Sequence, residues 1–108
     1  SFKLACTLAR VLDDYKAQNI TILDISNVSV LADYFVICSG DSSTQVRALS
    51  EHVRAKVKEI FQRKPCGDEK DGKNRWNLLD YGDVVVHVLQ TEERENYGLD
   101  NQIADNDI

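Results

Sequence analysis

The stretch Trp76 to Leu89, W-N-L-L-D-Y-G-D-V-V-V-H-V-L, constrains the fold more than any other. Two apolar runs flank Asp80-Tyr81-Gly82-Asp83, and a hairpin turn of that length needs one residue tolerant of positive φ, which Gly82 supplies. Val84, Val85, Val86 and Val88 are β-branched and suit a pleated strand better than a helix. From Val84 to Leu89 both faces are apolar except at His87, which predicts a strand inside the sheet. The preceding strand alternates: Trp76, Leu78 and Asp80 point one way, Asn77 and Leu79 the other. Trp76 can be read as a contact residue or as a rim residue of the core, and the residues alone do not choose.

At 108 residues the chain predicts one domain, residues 1–108, long enough for a real core but not for two. A charged fraction of 29% beside 43% hydrophobic residues argues against disorder. No apolar run approaches the roughly 20 residues that span a bilayer, so no membrane partner is expected. The chain contains no Met, so Ser1 is read as a trimmed or processed start. Lys3 and Arg10 stand among spaced, not continuous, apolar residues, so no signal peptide is read and a cytoplasmic protein is expected, or an organellar one if a targeting segment was removed. Cys6, Cys38 and Cys66 form no C-x-x-C pair, which speaks against zinc and for free thiols in a reducing compartment. A net charge of −5 opposes direct reading of nucleic acid and favours a basic protein partner.

Taken in order, Leu4, Leu8, Leu12 and Tyr15, with Ala5, Ala9 and Val11 beside them, form a helical stripe over Phe2 to Gln18. Thr21 to Ile25 reads as a short strand, Ser26 to Asp33 as a connection, and Tyr34 to Cys38 as a central strand. Ser42 and Gln45 make a capping box for a helix running to about Arg63, with Val46, Leu49, Val53, Val57, Ile60 and Phe61 on one face. That strand, turn and helix are one half of a βαβ crossover. Lys64 to Arg75 is expected to be a mobile surface loop. After the hairpin, Thr91 caps a short helix with Glu92 and Glu93 in its first turn. Gly98 weakens this helix, and the acidic tail to Ile108 is expected to fray. The order is α-β-β-α-β-β-α, a mixed α/β (α+β) sheet with helices packed on it.

Three chemical readings of these residues are weak. Gly40-Asp41-Ser42-Ser43 precedes a helix and could cradle a phosphate, but one Gly is far from a P-loop. A strand followed by Gly-Ser and a helix resembles a nucleotidyltransferase, yet no Asp-x-Asp follows, and Asp80 and Asp83 flank a turn. Cys38 lies in an apolar run where a thiol is inert, which disfavours a nucleophile pair with His52 or His87. No catalytic residue, metal ligand or cofactor is therefore assigned.

Two longer motifs carry a resemblance. D-Y-F-V-I-C-S-G-D-S-S-T-Q-V-R-A-L (Asp33 to Leu49) and W-N-L-L-D-Y-G-D-V-V-V-H-V (Trp76 to Val88) resemble the ribosomal silencing factors, the Iojap-related family. K-A-Q-N-I-T-I-L-D-I (Lys16 to Ile25) and E-R-E-N-Y (Glu93 to Tyr97) extend the likeness over nearly the whole chain. The resemblance implies a nucleotidyltransferase-like fold without the catalytic carboxylates. It implies binding to large-subunit ribosomal protein fourteen, a steric block of small-subunit docking, repression of translation, and often a homodimer in isolation. The implied contact surface is the hairpin residues Trp76, Leu78, Leu79, Asp80 and Tyr81, with His87, Glu93 and Arg94 nearby. The family's closing L-E-x-L-W is met here only by Leu99-Asp100-Asn101-Gln102-Ile103, a departure that leaves a contact from the tail in doubt. The expected function is a non-enzymatic anti-association factor. The rivals are a nucleotide-dependent transferase using the Gly40 to Ser43 turn and a dimeric scaffold.

Overall fold

The computed structural model describes residues 1–97, with side chains through residue 95. The expectations about Gly98, the frayed tail and Leu99 to Ile103 lie outside the described residues. Helices α1 (Phe2–Asp14), α2 (Ser43–Phe61) and α3 (Thr91–Tyr97) accompany five strands: β1 (Gln18–Asp24), β2 (Tyr34–Gly40), β3 (Gly67–Lys70), β4 (Trp76–Asp80) and β5 (Val84–Gln90). The strands form one mixed sheet in the order β1-β2-β5-β4-β3.

The valine strand β5 is central, as its two apolar faces require. It pairs in parallel with β2, from Tyr34↔Val84 to Gly40↔Gln90, and antiparallel with β4, from Trp76↔Leu89 to Asp80↔Val85. Gly82 makes the β4–β5 turn at φ +89°, a conformation that costs most L-residues strain. The crossover α2 leads from β2 to β3, which runs parallel to β2 through the antiparallel steps β3–β4 and β4–β5. The hairpin thus inserts its two strands into a split βαβ unit.

Helices α1 and α2 lie on the same side of this sheet. Their stripes, Leu4, Ala5, Leu8 and Leu12 from α1 and Val46, Leu49, Val53 and Val57 from α2, close over Val36, Cys38, Leu79, Tyr81, Val84, Val86 and Val88. At α2 the cap forms as its sequence requires: Gln45 N–H donates to Ser42 Oγ at 3.1 Å, and Gln45 Oε1 accepts from Asp41 N–H at 2.7 Å. Tyr15 and Ile60, expected on the apolar stripes, sit past the end of α1 and on the outer side of α2, and both are exposed. The Thr91 hydroxyl, expected to cap α3, turns instead to the Gly40 carbonyl and the Asp41 carboxylate, both at 3.4 Å.

Three further expectations need correction. First, the Lys64 to Arg75 stretch holds strand β3, so the order is α-β-β-α-β-β-β-α. Its sequence, Gly-Asp-Glu-Lys, has no apolar alternation, so nothing local announces a strand. It forms because β4 offers an unpaired edge and because Asp68 takes a bidentate bond from Arg54 of α2, at 2.5 and 2.9 Å. Second, Tyr81, expected as an exposed turn residue, is only 2% exposed. Asn77, Leu79 and Tyr81 share the helix-facing side, and α2 reaches far enough to enclose the ring, with the Arg63 guanidinium carbon 5.9 Å from its centroid. Arg63 also donates to the Tyr81 carbonyl, and to Asp83 at 2.8 Å, locking the turn beneath the helix end. Third, Leu79 is fully enclosed, so like Tyr81 it presents no side-chain surface to a partner.

Burial makes Tyr81 a stability residue. Tyr81→Ala should cost about 3–5 kcal/mol in denaturant unfolding, the usual range for deleting a core aromatic ring. Its buried hydroxyl has no hydrogen-bond partner among the described residues, and burial pushes its pKa up to about 12. Tyr81→Phe should therefore leave stability within about 0.5 kcal/mol or raise it, because no bond is lost. A loss beyond about 1 kcal/mol for Tyr81→Phe would show that the hydroxyl is bonded after all.

Candidate functional site

The opposite face of the sheet carries the remaining apolar side chains. Strand alternation puts Leu23, Phe35, Ile37, Trp76, Leu78, Val85, His87 and Leu89 there, together with Ile25 and Ala32 from the β1–β2 connection. Among the described residues only α3 crosses this side. It is held by Arg94, which donates to the Asn19 carbonyl, to Ser39 Oγ at 3.1 Å and to Thr21 Oγ1 at 3.0 Å. Arg94 is thus committed to anchoring α3 across β1 and β2, and Glu93 lies in the first turn of that helix.

Where the β4–β5 turn and the β1–β2 connection meet, this face holds a recess of about 270 Å³, lined by Leu31, Ala32, Phe35, Leu78, Val85 and His87, with Ser29, Asp80 and Gly82 completing it. One wall is the β1–β2 connection, which projects apolar side chains into solvent: Leu31 is 84% exposed, and Val28 and Val30 are also exposed. Its backbone is shaped locally, Ser29 Oγ accepting from the Leu31 N–H at 3.1 Å. Sequence alone assigns no contact role to the connection, Phe35 or Val85. The available signal was V-S-V-L at Val28 to Leu31, apolar residues in a segment too polar at its ends to be a strand.

Of the expected contact residues, Trp76, Leu78, Asp80 and His87 therefore gather on one face, whereas Leu79 and Tyr81 point to the other. Asp80 Oδ1 accepts from the Gly82 N–H at 2.7 Å, the turn chemistry its position suggested. Asp83 is paired with Arg63. Among the described residues no three His, Cys, Asp or Glu side chains come together in a metal-holding group. The N–H groups of Asp41 and Gln45 are already taken by the α2 cap, which leaves the Gly40 turn fewer donors for a phosphate. Cys38 lies on the helix side while His87 lies on the other, and burial pushes the Cys38 thiol up to about 12. His52 is stacked on Tyr15, ring centroids 3.6 Å apart.

His87 is the polar centre of the open face. It is 5% exposed, packed against Phe35 at 4.5 Å between centroids, and its Nδ1 accepts the Trp76 indole N–H at 3.1 Å. Burial lowers its pKa from the ordinary 6.5 to about 4, because the charged ring would lose its hydration. The folded chain therefore refuses a proton that the unfolded chain accepts. Stability is complete above about pH 6.5 and falls as pH drops from there towards 4, by at most about 3 kcal/mol. The depressed carboxyls of Asp68 and Asp83 add their own losses only at lower pH, within the carboxylate range. Unfolding free energies of the wild type and His87→Phe between pH 7 and 4.5 should diverge by this amount, the variant losing less. Parallel curves would show that His87 does not stay neutral.

Comparison with known proteins agrees with the arrangement of elements. The family profile described as "Ribosomal silencing factor during starvation" matches residues 1–106. The ribosomal silencing factor RsfS of Bacillus subtilis is 39% identical over 99 residues, covering 90% of this chain and 81% of the relative. The chloroplastic protein Iojap of Zea mays is 33% identical over 96 residues, 89% of this chain but 41% of that longer protein. A crystal structure of a Chromobacterium violaceum protein superposes with a TM-score of 0.88 at 33% identity, covering 96% of this chain and 87% of the other. With a match over nearly its whole length, the chain belongs to the ribosomal silencing factors, a family of ribosome-associated regulators of translation.

Proposed function

We propose that the chain binds the large ribosomal subunit through the open sheet face, at ribosomal protein fourteen of that subunit. Bound there, it occupies surface that the small subunit needs, prevents joining and so represses translation. The observation that carries this reading is the apolar face that the described residues leave uncovered: a recess bounded by Phe35, Leu78 and His87 beside a connection that exposes Val28, Val30 and Leu31. Contiguous exposed apolar side chains on a folded protein mark a surface meant to be covered, and family membership supplies the ribosome as the context. The net charge of −5 favours approach to a basic ribosomal protein.

The work is done by occupancy and needs no catalytic step. The whole stretch 1–108 acts as one unit wherever bacterial-type large subunits are found, in a bacterial cytoplasm or an organelle. A homodimer in isolation is the second reading, and the same uncovered face supports it, since a second copy could cover it. A nucleotide-dependent transferase is disfavoured by Asp80 and Asp83, which are engaged by the Gly82 N–H and by Arg63. Turnover of nucleoside triphosphate with Mg²⁺ that disappears in Asp80→Ala would overturn the non-enzymatic reading.

The chain should co-sediment with purified large subunits and reduce whole-ribosome formation in proportion to its concentration. Equal binding to intact ribosomes with joining unimpaired would count against a steric block. Leu31→Glu gives the sharper measurement, because an exposed side chain contributes little to folding. Its melting should stay within about 0.5 kcal/mol of the wild type, while its affinity for large subunits falls about 30-fold or more, near 2 kcal/mol. Unchanged affinity in Leu31→Glu would remove the β1–β2 connection from the contact.

A further inference from the structure

The recess contains one group that the fold leaves unanswered. His87 Nε2 is buried and has no hydrogen-bond partner among the described residues. Its protonation follows from its neighbour. An indole N–H can only donate, so the Trp76 bond requires Nδ1 of His87 to be the acceptor and therefore to carry no proton. A neutral imidazole with a bare Nδ1 holds its proton on Nε2. The orphaned atom is thus a donor, held in a fixed tautomer by Trp76.

Its surroundings select what could answer it. The rest of the lining is mostly apolar, from Leu31, Ala32, Phe35, Leu78 and Val85, and the charged side chain among the lining residues is Asp80. A carboxylate there repels anions, so a phosphate or carboxylate is a poor occupant. An apolar side chain accompanied by a neutral oxygen suits both the walls and the donor.

We propose that His87 Nε2–H is the hydrogen-bond donor this recess presents to a docked polypeptide, which fills it with an apolar side chain and accepts the bond through an adjoining backbone carbonyl or hydroxyl oxygen. The proposal rests on the docking reading above and adds the chemistry of the partner's anchor. Nε2 is shielded from water in the free chain, so an anchor reaches it only when side chains around the recess give way. Among the lining side chains, Leu31 is 84% exposed and so is little held by packing. An unpaired buried donor is a cost carried by the free fold, and an arriving acceptor relieves it. Trp76 acts here as a positioning residue: without its indole N–H, the His87 proton could move to Nδ1.

Two measurements test this. Nitrogen-15 NMR of the imidazole in the free full chain should show the neutral tautomer protonated at Nε2 near pH 7. A proton on Nδ1, or an imidazolium, overturns the proposal whether or not any variant folds. Binding to purified bacterial large ribosomal subunits is then compared for the wild type and His87→Phe, with thermal melting as the control. His87→Phe fills the same space without the donor but also removes the acceptor of the Trp76 indole N–H, so near pH 7 it should melt slightly earlier yet stay folded at the binding temperature, while its affinity falls about 10- to 100-fold. Binding within about twofold of the wild type overturns the proposal and leaves the docking reading standing. Failure of the wild type itself to bind removes the docking reading and the proposal with it. In sedimentation of the free chain, a dimer that His87→Phe dissolves while subunit binding is unchanged would assign the recess to a second copy, which also overturns it.

Discussion

The parallel pairing of β2 with β5 is the constraint from which the rest follows. Antiparallel strands can be joined by a short turn, but parallel strands need a crossover that carries the chain back along the sheet. Here α2 does so, and because it packs where its apolar stripe points, it closes one face of the sheet together with α1. With both long helices on the same side, the opposite face keeps, among the described residues, only α3 and the β1–β2 connection. The open face is therefore a consequence of topology. It exists because the pair that joins the two halves of the chain is covered from one direction only.

An open apolar face needs devices that keep it ordered. One is the Trp76–His87 bond, which ties the head of β4 to the middle of β5 and sets the imidazole tautomer. Another is Arg94, whose guanidinium spans β1 and β2 from α3. Both put polar atoms beside apolar walls, an arrangement that specifies geometry more strongly than further leucines would. The edges of the sheet are managed differently. Strand β3 is short and charged, and β1 is interrupted between Gln18 and Thr21, both of which discourage another chain from adding itself as a strand. The edges are thus guarded against strand addition, and the apolar surface that the described residues leave open is a face.

What the chain encodes locally is legible without coordinates. Val84 to Leu89 is apolar on both faces and became the central strand; Ser42 with Gln45 marked the start of α2; Gly82 marked the tight turn. The alternation in β4 separated Trp76, Leu78 and Asp80 from Asn77 and Leu79 before any packing was known. Each is a property of a few neighbouring residues and the period of one element, so sequence by itself determined it.

Tertiary structure alone decided the rest, because those features depend on elements far apart in the chain. Gly67 to Lys70 has no strand pattern of its own and becomes β3 through the edge of β4 and an arginine on α2. Tyr81 looked open when judged by its own strand, yet it is enclosed by a helix that ends some twenty residues earlier in the chain. The recess joins Leu31 and Ala32 from one connection to Leu78 and His87 from the hairpin, a meeting that only the β2–β5 register produces. Composition and periodicity describe one segment at a time; which face stays bare is settled by how the segments cover one another.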